Sequence, residues 1–474
     1  MRAAVAVLVL LMAACTASTP EPVRLTVLAS SELADLGPVL ADLKRDTGVE
    51  LAMEYKGTIE ASGQAGGYDL TWLSTNRFLE LRGGEPPLSA TTMLSPVVLG
   101  VKPGKQLGER PTWADIADRA ALGELRFGMA DPRVSGGGLA ALIGVATAAA
   151  GTGSALRTED VSCDRIQGFL AGRAFDSPDV TGEFVRRQSE VDAIVAHESE
   201  VLALNASGKL SQPLEVVYPR DGIVLSDYPL TLIRPDKRAA YDRVVGWVRS
   251  PGAQRSIMER TWRRPVDPAL QRAEKLALPM GNALYFPDSQ EVIDRLLAFY
   301  DRAGTGRQVV FVLDYSTSMR GERVSRLREA FAALNGFDRF HVGETVTIVR
   351  FAGRVLEERS VTVSGRGDLD ALLAVVASDD LQDHTAIWSA VDHALRLVRG
   401  EATVVLMTDG ENNAGLTANE FFRVGRGEVP VYPIRFGEAD PADLDRLAQA
   451  SGGRLVDATA KSLLEAVREI RGCR

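Results

Sequence analysis

The stretch Gln308–Met319, QVVFVLDYSTSM, runs through five apolar residues onto a carboxylate, Asp314, and then sets hydroxyls at alternate positions, Ser316 and Ser318. Three hard oxygen donors leaving one strand tip can converge on a point, and hard oxygens suit Mg²⁺ or Mn²⁺ rather than zinc. Two later stretches add donors of the same kind. Thr385 lies just before a helical pattern with Ile387, Val391 and Leu395 on one face, and Asp409 closes TVVLMTD ahead of a turn-making Gly410. Taken singly, the aspartates are ordinary strand-end turn formers and the serines helix caps. Taken together on an alternating α/β pattern, they read as one divalent-cation site. The four histidines, His197, His341, His384 and His393, include no pair at metal-binding spacing, which argues against a zinc hydrolase. No Ser-His-Asp order or catalytic-cysteine context is present either, so the chain reads as a binding protein and not as an enzyme.

The elements that must hold these donors follow from periodicity. Val309–Leu313 is too short for an independent helix and reads as a buried parallel strand. VSRLREAFAAL then reads as a helix, ETVTIVRF and VLEERSVTV as paired strands, and DLDALLAVVAS as a helix. TVVLMTDG and VPVYPIRFG are further strands, and DPADLDRLAQASGG and AKSLLEAVREIRG closing helices. Such alternation specifies a doubly wound, Rossmann-like sheet with a site above its carboxyl edge. The DxSxS of 314–318, Thr385 and the TDG of 408–410 together resemble the von Willebrand factor type A (VWA) domain. The resemblance implies that Ser316, Ser318 and Thr385 touch one Mg²⁺ or Mn²⁺ while Asp314 and Asp409 act mostly through bound water. It also implies a protein partner whose acidic residue completes the metal shell. The family often has glycine before the threonine; here Asp383 and His384 stand there.

At 474 residues the chain is long enough for about three domain-sized units. A formal charge of −9 and the absence of a basic stripe argue against nucleic acid as a partner. Residues 1–14, MRAAVAVLVLLMAA, carry one basic residue, an apolar run too short to span a bilayer comfortably, and then small residues, as a secretory signal does. MAAC resembles the bacterial lipoprotein cleavage box, which would make Cys15 the lipidated first residue, tethered to an extracytoplasmic membrane face through residues 15–22. The alternative is a plain signal cleaved near Ala14, which leaves Cys15 unexplained. Cys163 and Cys473 remain, either as a disulfide or as two isolated thiols; Cα separation decides between them.

From Val23 the pattern is strand, serine pair, helix, strand, with apolar Leu33, Leu36, Val39, Leu40 and Leu43 on the helical stretch. YDLTWLST gives another strand ending at Ser74, and the rhythm implies an open parallel sheet. LRFGMADPRVSGGGLAALIGVATAAAG repeats the strategy with an Ala-rich helix opened by Ser135 and Gly136. This arrangement over residues 23–277 resembles the two-lobed solute-binding proteins of ABC transporters. The resemblance makes VYPRDGIVLSDYP a return to the first lobe and HESEVLAL a strand and loop lining the cleft. Hydroxyls beside helix N-termini suit a small oxyanion ligand, and Ser30, Ser31, Thr58, Ser74 and Ser135 are the candidates; each is also a plausible N-cap of its own helix. Tyr241, Trp247, Trp262, Arg263 and Arg264 supply the aromatic and basic residues that the closing stretch of such proteins often carries, and the arginines read as a solvated face. Residues 278–306 read as a linker and helix, and 307–474 as the VWA domain. Two functions fit: a membrane-anchored binding protein with a metal-dependent adhesion-type site, or the substrate-binding lipoprotein of an ABC transporter with an ancillary VWA domain.

Overall fold

The computed structural model describes residues 23–457 apart from 82, 84–86, 106, 162, 303–307, 335–342, 365, 400–401, 425–428 and 436–440. The leader, Cys15, the helix expected over AKSLLEAVREIRG, and Cys473 with its disulfide lie outside the described residues. In chain order the strands are β1 (Val23–Ser30), β2 (Val49–Lys56), β3 (Leu70–Trp72), β4 (Ser89–Thr91), β5 (Ser95–Val101) and β6 (Phe127–Met129). They continue as β7 (Arg173–Asp176), β8 (Ala193–His197), β9 (Glu215–Val217), β10 (Leu225–Ser226) and β11 (Pro229–Leu232). The C-terminal half holds β12 (Gln308–Asp314), β13 (Thr345–Phe351), β14 (Val355–Thr362), β15 (Ala402–Thr408), β16 (Val431–Arg435) and β17 (Val456–Asp457).

The first lobe is a sheet in the order β2-β1-β3-β11-β4. Alternate residues of β1, namely Leu25, Val27 and Ala29, bury with Leu33, Leu36, Val39 and Leu43, whereas Leu40 is only partly buried. The helix Gly37–Thr47 stops at Gly48, whose left-handed φ of 66° lets its N–H reach Lys44 O. The sheet is mixed, not parallel throughout: β11 runs antiparallel to β3 and β4. β11 arrives directly from the other lobe and not through a helical crossover, so nothing requires it to be parallel.

The second lobe has the order β10-β5-β8-β6-β7, with β9 also beside β5. Its centre is the helix Gly136–Ala150, apolar on all sides and buried from Gly137 to Thr147. A Cβ on Gly144 would stand 2.6 Å from the Trp113 ring, so the small residue is what permits this packing. HESEVLAL is not a strand and loop: β8 ends at His197, and Glu198–Ala206 is a helix. His197 is extended (φ −67°, ψ 147°), and its N–H donates to Glu200 Oε2 at 3.0 Å, a capping box that starts the helix there.

The chain passes between the lobes after β4, between β10 and β11, and at Arg264, where Leu94 and Arg264 exchange backbone hydrogen bonds of 2.9 and 2.8 Å. Arg263 and Arg264 are fully buried, which corrects the solvated-face reading: both guanidinium groups pair with carboxylates, as burial of a charge demands. The stretch after Leu278 packs on the second lobe. Leu284 N–H donates to Ile223 O at 2.7 Å, and the helix Gln290–Arg302 buries Val292, Ile293, Leu296, Phe299 and Tyr300 in the second-lobe core.

The C-terminal sheet runs β14-β13-β12-β15-β16-β17, parallel except for β14. Strand period 2 sends Val309, Phe311 and Leu313 into one core and Val310 and Val312 into another. β15 divides likewise, Val405 and Met407 against Val404 and Leu406. A strand covered on both faces must be apolar at every position, which is why QVVFVL and TVVLM read as continuous runs.

Candidate functional site

β12 delivers Asp314 fully buried at its carboxyl end. One carboxylate oxygen accepts from Ser316 N–H at 2.8 Å and the other from the Thr408 hydroxyl of β15 at 2.6 Å. The Ser316 and Ser318 hydroxyls lie 2.8 Å apart, and Ser318 Oγ donates to Asp409 Oδ1 at 2.9 Å. The loop before the helix Ile387–Leu397 is tied in by Thr317 N–H to Gln382 O and Gln382 N–H to Tyr315 O, both 3.0 Å. Asn413 then clamps Thr385, accepting from its N–H at 2.8 Å through Oδ1 and donating its own N–H to Thr385 O at 2.9 Å. A Cβ on Gly410 would sit 3.7 Å from Ser318 Oγ and 3.8 Å from Thr385 Oγ1, so both hydroxyls face the same small residue. The structure thus brings Asp314, Ser316, Ser318, Thr385 and Asp409 to one sheet edge.

The electrostatics of this edge favour a cation. Burial pushes the Asp314 carboxyl up to about 6, against the hydrogen bonds from Thr408 and Ser316, and the Asp409 charge pushes the same way as burial. Arg323, near the start of the helix Glu322–Leu334, pairs its guanidinium with Asp409 Oδ2 and reaches Ser318 O at 3.4 Å. A positive charge thereby stands on this carboxylate already, and two carboxylates with three hydroxyls are a fitting donor set for Mg²⁺ or Mn²⁺. Among the described residues no group of three or more His, Cys, Asp or Glu side chains forms a metal site, as expected where hydroxyls make up the majority of donors. His384 has a φ of 68°, the left-handed conformation that glycine adopts freely, at the position where VWA domains often carry glycine.

Sequence reasoning missed Arg323, Thr408 and Asn413. Thr408 stood beside Asp409 in plain view, and the Asn412-Asn413 pair after TDG was a turn signal. Nothing in the local pattern marks Arg323.

In the N-terminal half, Ser30, Thr58 and Ser74 are buried in one network. Ser30 Oγ and Thr58 Oγ1 are 2.5 Å apart, Thr58 Oγ1 and Ser74 Oγ 2.8 Å, and Ser74 N–H donates to Ser30 Oγ at 2.8 Å. The second lobe closes over them: a Cβ on Gly136 would lie 2.7 Å from Ser74 Oγ, and Ile59 N–H donates to Val134 O at 3.1 Å across the lobes. Ser135 caps its own helix, accepting from Gly138 N–H at 3.4 Å, and Ser31 is exposed.

Beside this network lies a charged set that sequence reading did not single out. His197 Nδ1 is 2.9 Å from Glu200 Oε2, and its Nε2 is 2.9 Å from Ser226 Oγ. Arg263 Nη1 donates to both Asp35 carboxylate oxygens at 2.8 and 2.7 Å, and its Nη2 donates to Glu32 O at 2.6 Å. Burial alone would lower the His197 pKa, but the Glu200 hydrogen bond and charge override it and raise the value. Burial raises the Glu32 carboxyl, only partly offset by His197 and Arg263.

With the geometry in view, comparison with known proteins defines the class. The family model "Bacterial extracellular solute-binding protein" matches residues 25–262, and "von Willebrand factor type A domain" matches 308–469. The chain belongs to the bacterial extracellular solute-binding proteins and carries a VWA domain behind the binding module. Membership places that module outside the cytoplasm. Among solved structures, iron-bound HitA from Pseudomonas aeruginosa aligns over 60% of this chain and 100% of its own, at 18% identity and a TM-score of 0.47. A periplasmic thiamin binding protein aligns over 60% and 96%, at 16% identity and 0.48. Inter-alpha-trypsin inhibitor heavy chain H1 from Homo sapiens is 27% identical over 166 residues, 31% of this chain and 18% of that protein. The chain therefore spans less than a fifth of this curated relative. No described helix is long and apolar enough to cross a membrane.

Proposed function

We propose that this is a lipid-anchored extracytoplasmic binding protein, held at the membrane through Cys15, whose VWA domain binds a partner through one Mg²⁺ or Mn²⁺. Ser316, Ser318 and Thr385 would hold the ion with their hydroxyls, and Asp314 and Asp409 would neutralise its charge. When bound, the ion supplies a Lewis-acidic position that accepts a carboxylate from a partner protein. The observation that carries this reading is the hydrogen-bonded chain Ser316–Ser318–Asp409 beside the buried Asp314, with a cation already paired to Asp409. Arg323 has 41% of its side chain exposed, and on this reading its guanidinium gives way when the ion enters. The solute-binding module then either recognises a small ligand or serves as scaffold; in the transporter reading it delivers its ligand to a permease.

The test is calorimetric titration of the soluble protein, lacking Cys15, with Mg²⁺ and Mn²⁺, beside Asp409→Ala. One saturable site lost in the variant is the expected result. Equal metal binding by Asp409→Ala would remove the site from this sheet edge.

A further inference from the structure

We propose that Arg323 is a built-in cation that competes with the divalent ion for Asp409, so that the sheet edge exchanges a guanidinium for a metal. This rests on reading that edge as a metal site and adds what sets its affinity. The Arg323 guanidinium pairs with Asp409 Oδ2, and its Nη1 also donates to Ser318 O at 3.4 Å. One group thus ties together the two loops that carry Ser318 and Asp409. Among the described residues no other cationic side chain pairs with Asp409.

The pair differs from a surface salt bridge. The Asp409 side chain is 0% exposed and that of Arg323 41%, so a half-exposed arginine reaches inward to a buried carboxylate. Other arginines of the same helix do not turn that way. Arg326 pairs with Glu322, both well exposed, and Arg328 reaches Ser378 O at 2.6 Å and Asp379 Oδ1 at 2.7 Å. The position of Arg323 is also unfavourable on local grounds. It is the second residue of the helix Glu322–Leu334, where the partial positive charge of the free N–H groups opposes a cation. Pairing with a buried carboxylate offsets that repulsion, because Asp409 left without a counter-charge would cost more.

Charge sets the guanidinium against the ion. Asp409 Oδ1 accepts from Ser318 Oγ at 2.9 Å and Oδ2 is taken by Arg323, so both oxygens are engaged. A divalent ion on the Ser316, Ser318 and Thr385 hydroxyls would add two positive charges beside the one already there, against the two carboxylates of Asp314 and Asp409. Release of Arg323 restores two charges against two. The release disturbs no core packing, because Arg323 is a partly exposed side chain in the first turn of its helix. The ion then takes over the bridging role, since Ser318 and Asp409 both belong to its donor set.

The experiment is Mn²⁺ titration of the soluble chain, lacking Cys15, by calorimetry and by the paramagnetic resonance signal of free Mn²⁺. Wild type, Arg323→Gln and Arg323→Lys are compared. Arg323→Gln should bind Mn²⁺ about tenfold more tightly, the equivalent of one hydrogen bond to a charged group. Arg323→Lys, which keeps the charge, should stay near wild type. Thermal unfolding gives a second readout of opposite sign. In EDTA, Arg323→Gln should melt below wild type because Asp409 has lost its counter-charge, and saturating Mn²⁺ should abolish or reverse the difference. Equal or weaker Mn²⁺ binding by Arg323→Gln would overturn the proposal and leave the metal site standing. Absence of Mn²⁺ binding in wild type and Arg323→Gln alike would remove the site and the proposal with it. Binding by Arg323→Gln alone would support both.

Discussion

Removal of Glu198 is expected to destabilise the N-terminal half more than any surface substitution in it. Glu198 and Arg264 are both fully buried and form a bidentate pair, Arg264 Nε to Oε2 at 2.7 Å and Nη2 to Oε1 at 2.6 Å. Tyr218 donates its hydroxyl to the same carboxylate, which joins the second-lobe helix to the third passage of the chain between lobes. Among the described residues, Glu198→Ala leaves the Arg264 charge with Leu278 O at 3.0 Å and Tyr218 beside it, and no carboxylate. An uncompensated buried charge of this kind costs about 3–5 kcal/mol. For a unit of this size that corresponds to roughly 6–20 °C in Tm, at about 2–4 °C per kcal/mol.

The assay is urea unfolding followed by tryptophan fluorescence, which reports mainly on this half because Trp72, Trp113, Trp247 and Trp262 lie in it and only Trp388 lies outside. The double variant Glu198→Met with Arg264→Met removes both charges and fills similar volume. It should lose at least about 2 kcal/mol less than Glu198→Ala alone. A loss below about 1 kcal/mol for Glu198→Ala, or a double variant that costs the sum of its singles, would refute the reasoning.

Two further outcomes follow from the sites. Glu32 has its folded pKa raised above the unfolded value, so its contribution to stability is greatest at low pH and falls as pH rises through the folded value. Glu32→Gln should therefore stabilise the protein at neutral pH, and urea midpoints at acidic and neutral pH check the sign. His384→Gly should stabilise the VWA domain by up to about 1 kcal/mol, the left-handed strain outweighing the added chain entropy, with Mg²⁺ affinity retained. Thermal unfolding monitored at Trp388 together with the metal titration reads both.

The five residues of the candidate metal site were legible because each sits where a local pattern changes: Asp314 and Asp409 at the ends of unbroken apolar runs, Thr385 just before an amphipathic helix. Patterns of that kind are short-range, and a sequence carries them openly. The inter-lobe charges are a different matter. Glu32 and Arg263 are 231 residues apart, Asp35 and Arg263 228, and Glu198 and Arg264 66. Each looks like an ordinary surface charge in its own window, and only the third passage of the chain between lobes reveals that Arg263 and Arg264 enter the interior. The same long reach explains β11, whose antiparallel entry into the first sheet has no local signal. Ser30, Thr58 and Ser74 were singled out from the sequence as cleft hydroxyls, but their mutual hydrogen bonds depend on parallel register between β1 and β3, which the sequence leaves free.

Both candidate sites are built at the carboxyl ends of strands, and the chemistry each offers depends on what remains unpaired there. At β12 and β15 the serine hydroxyls and Asp409 bond in a chain that ends on Arg323, a partly exposed side chain. On the proposed reading, an incoming divalent ion displaces one partly exposed guanidinium and no part of the core. At β1 and β8 the hydroxyls of Ser30, Thr58 and Ser74 bond to one another, and His197 pairs with Glu200. A site saturated with hydroxyl–hydroxyl bonds gives an oxyanion little to gain, because every donor it would recruit is already engaged.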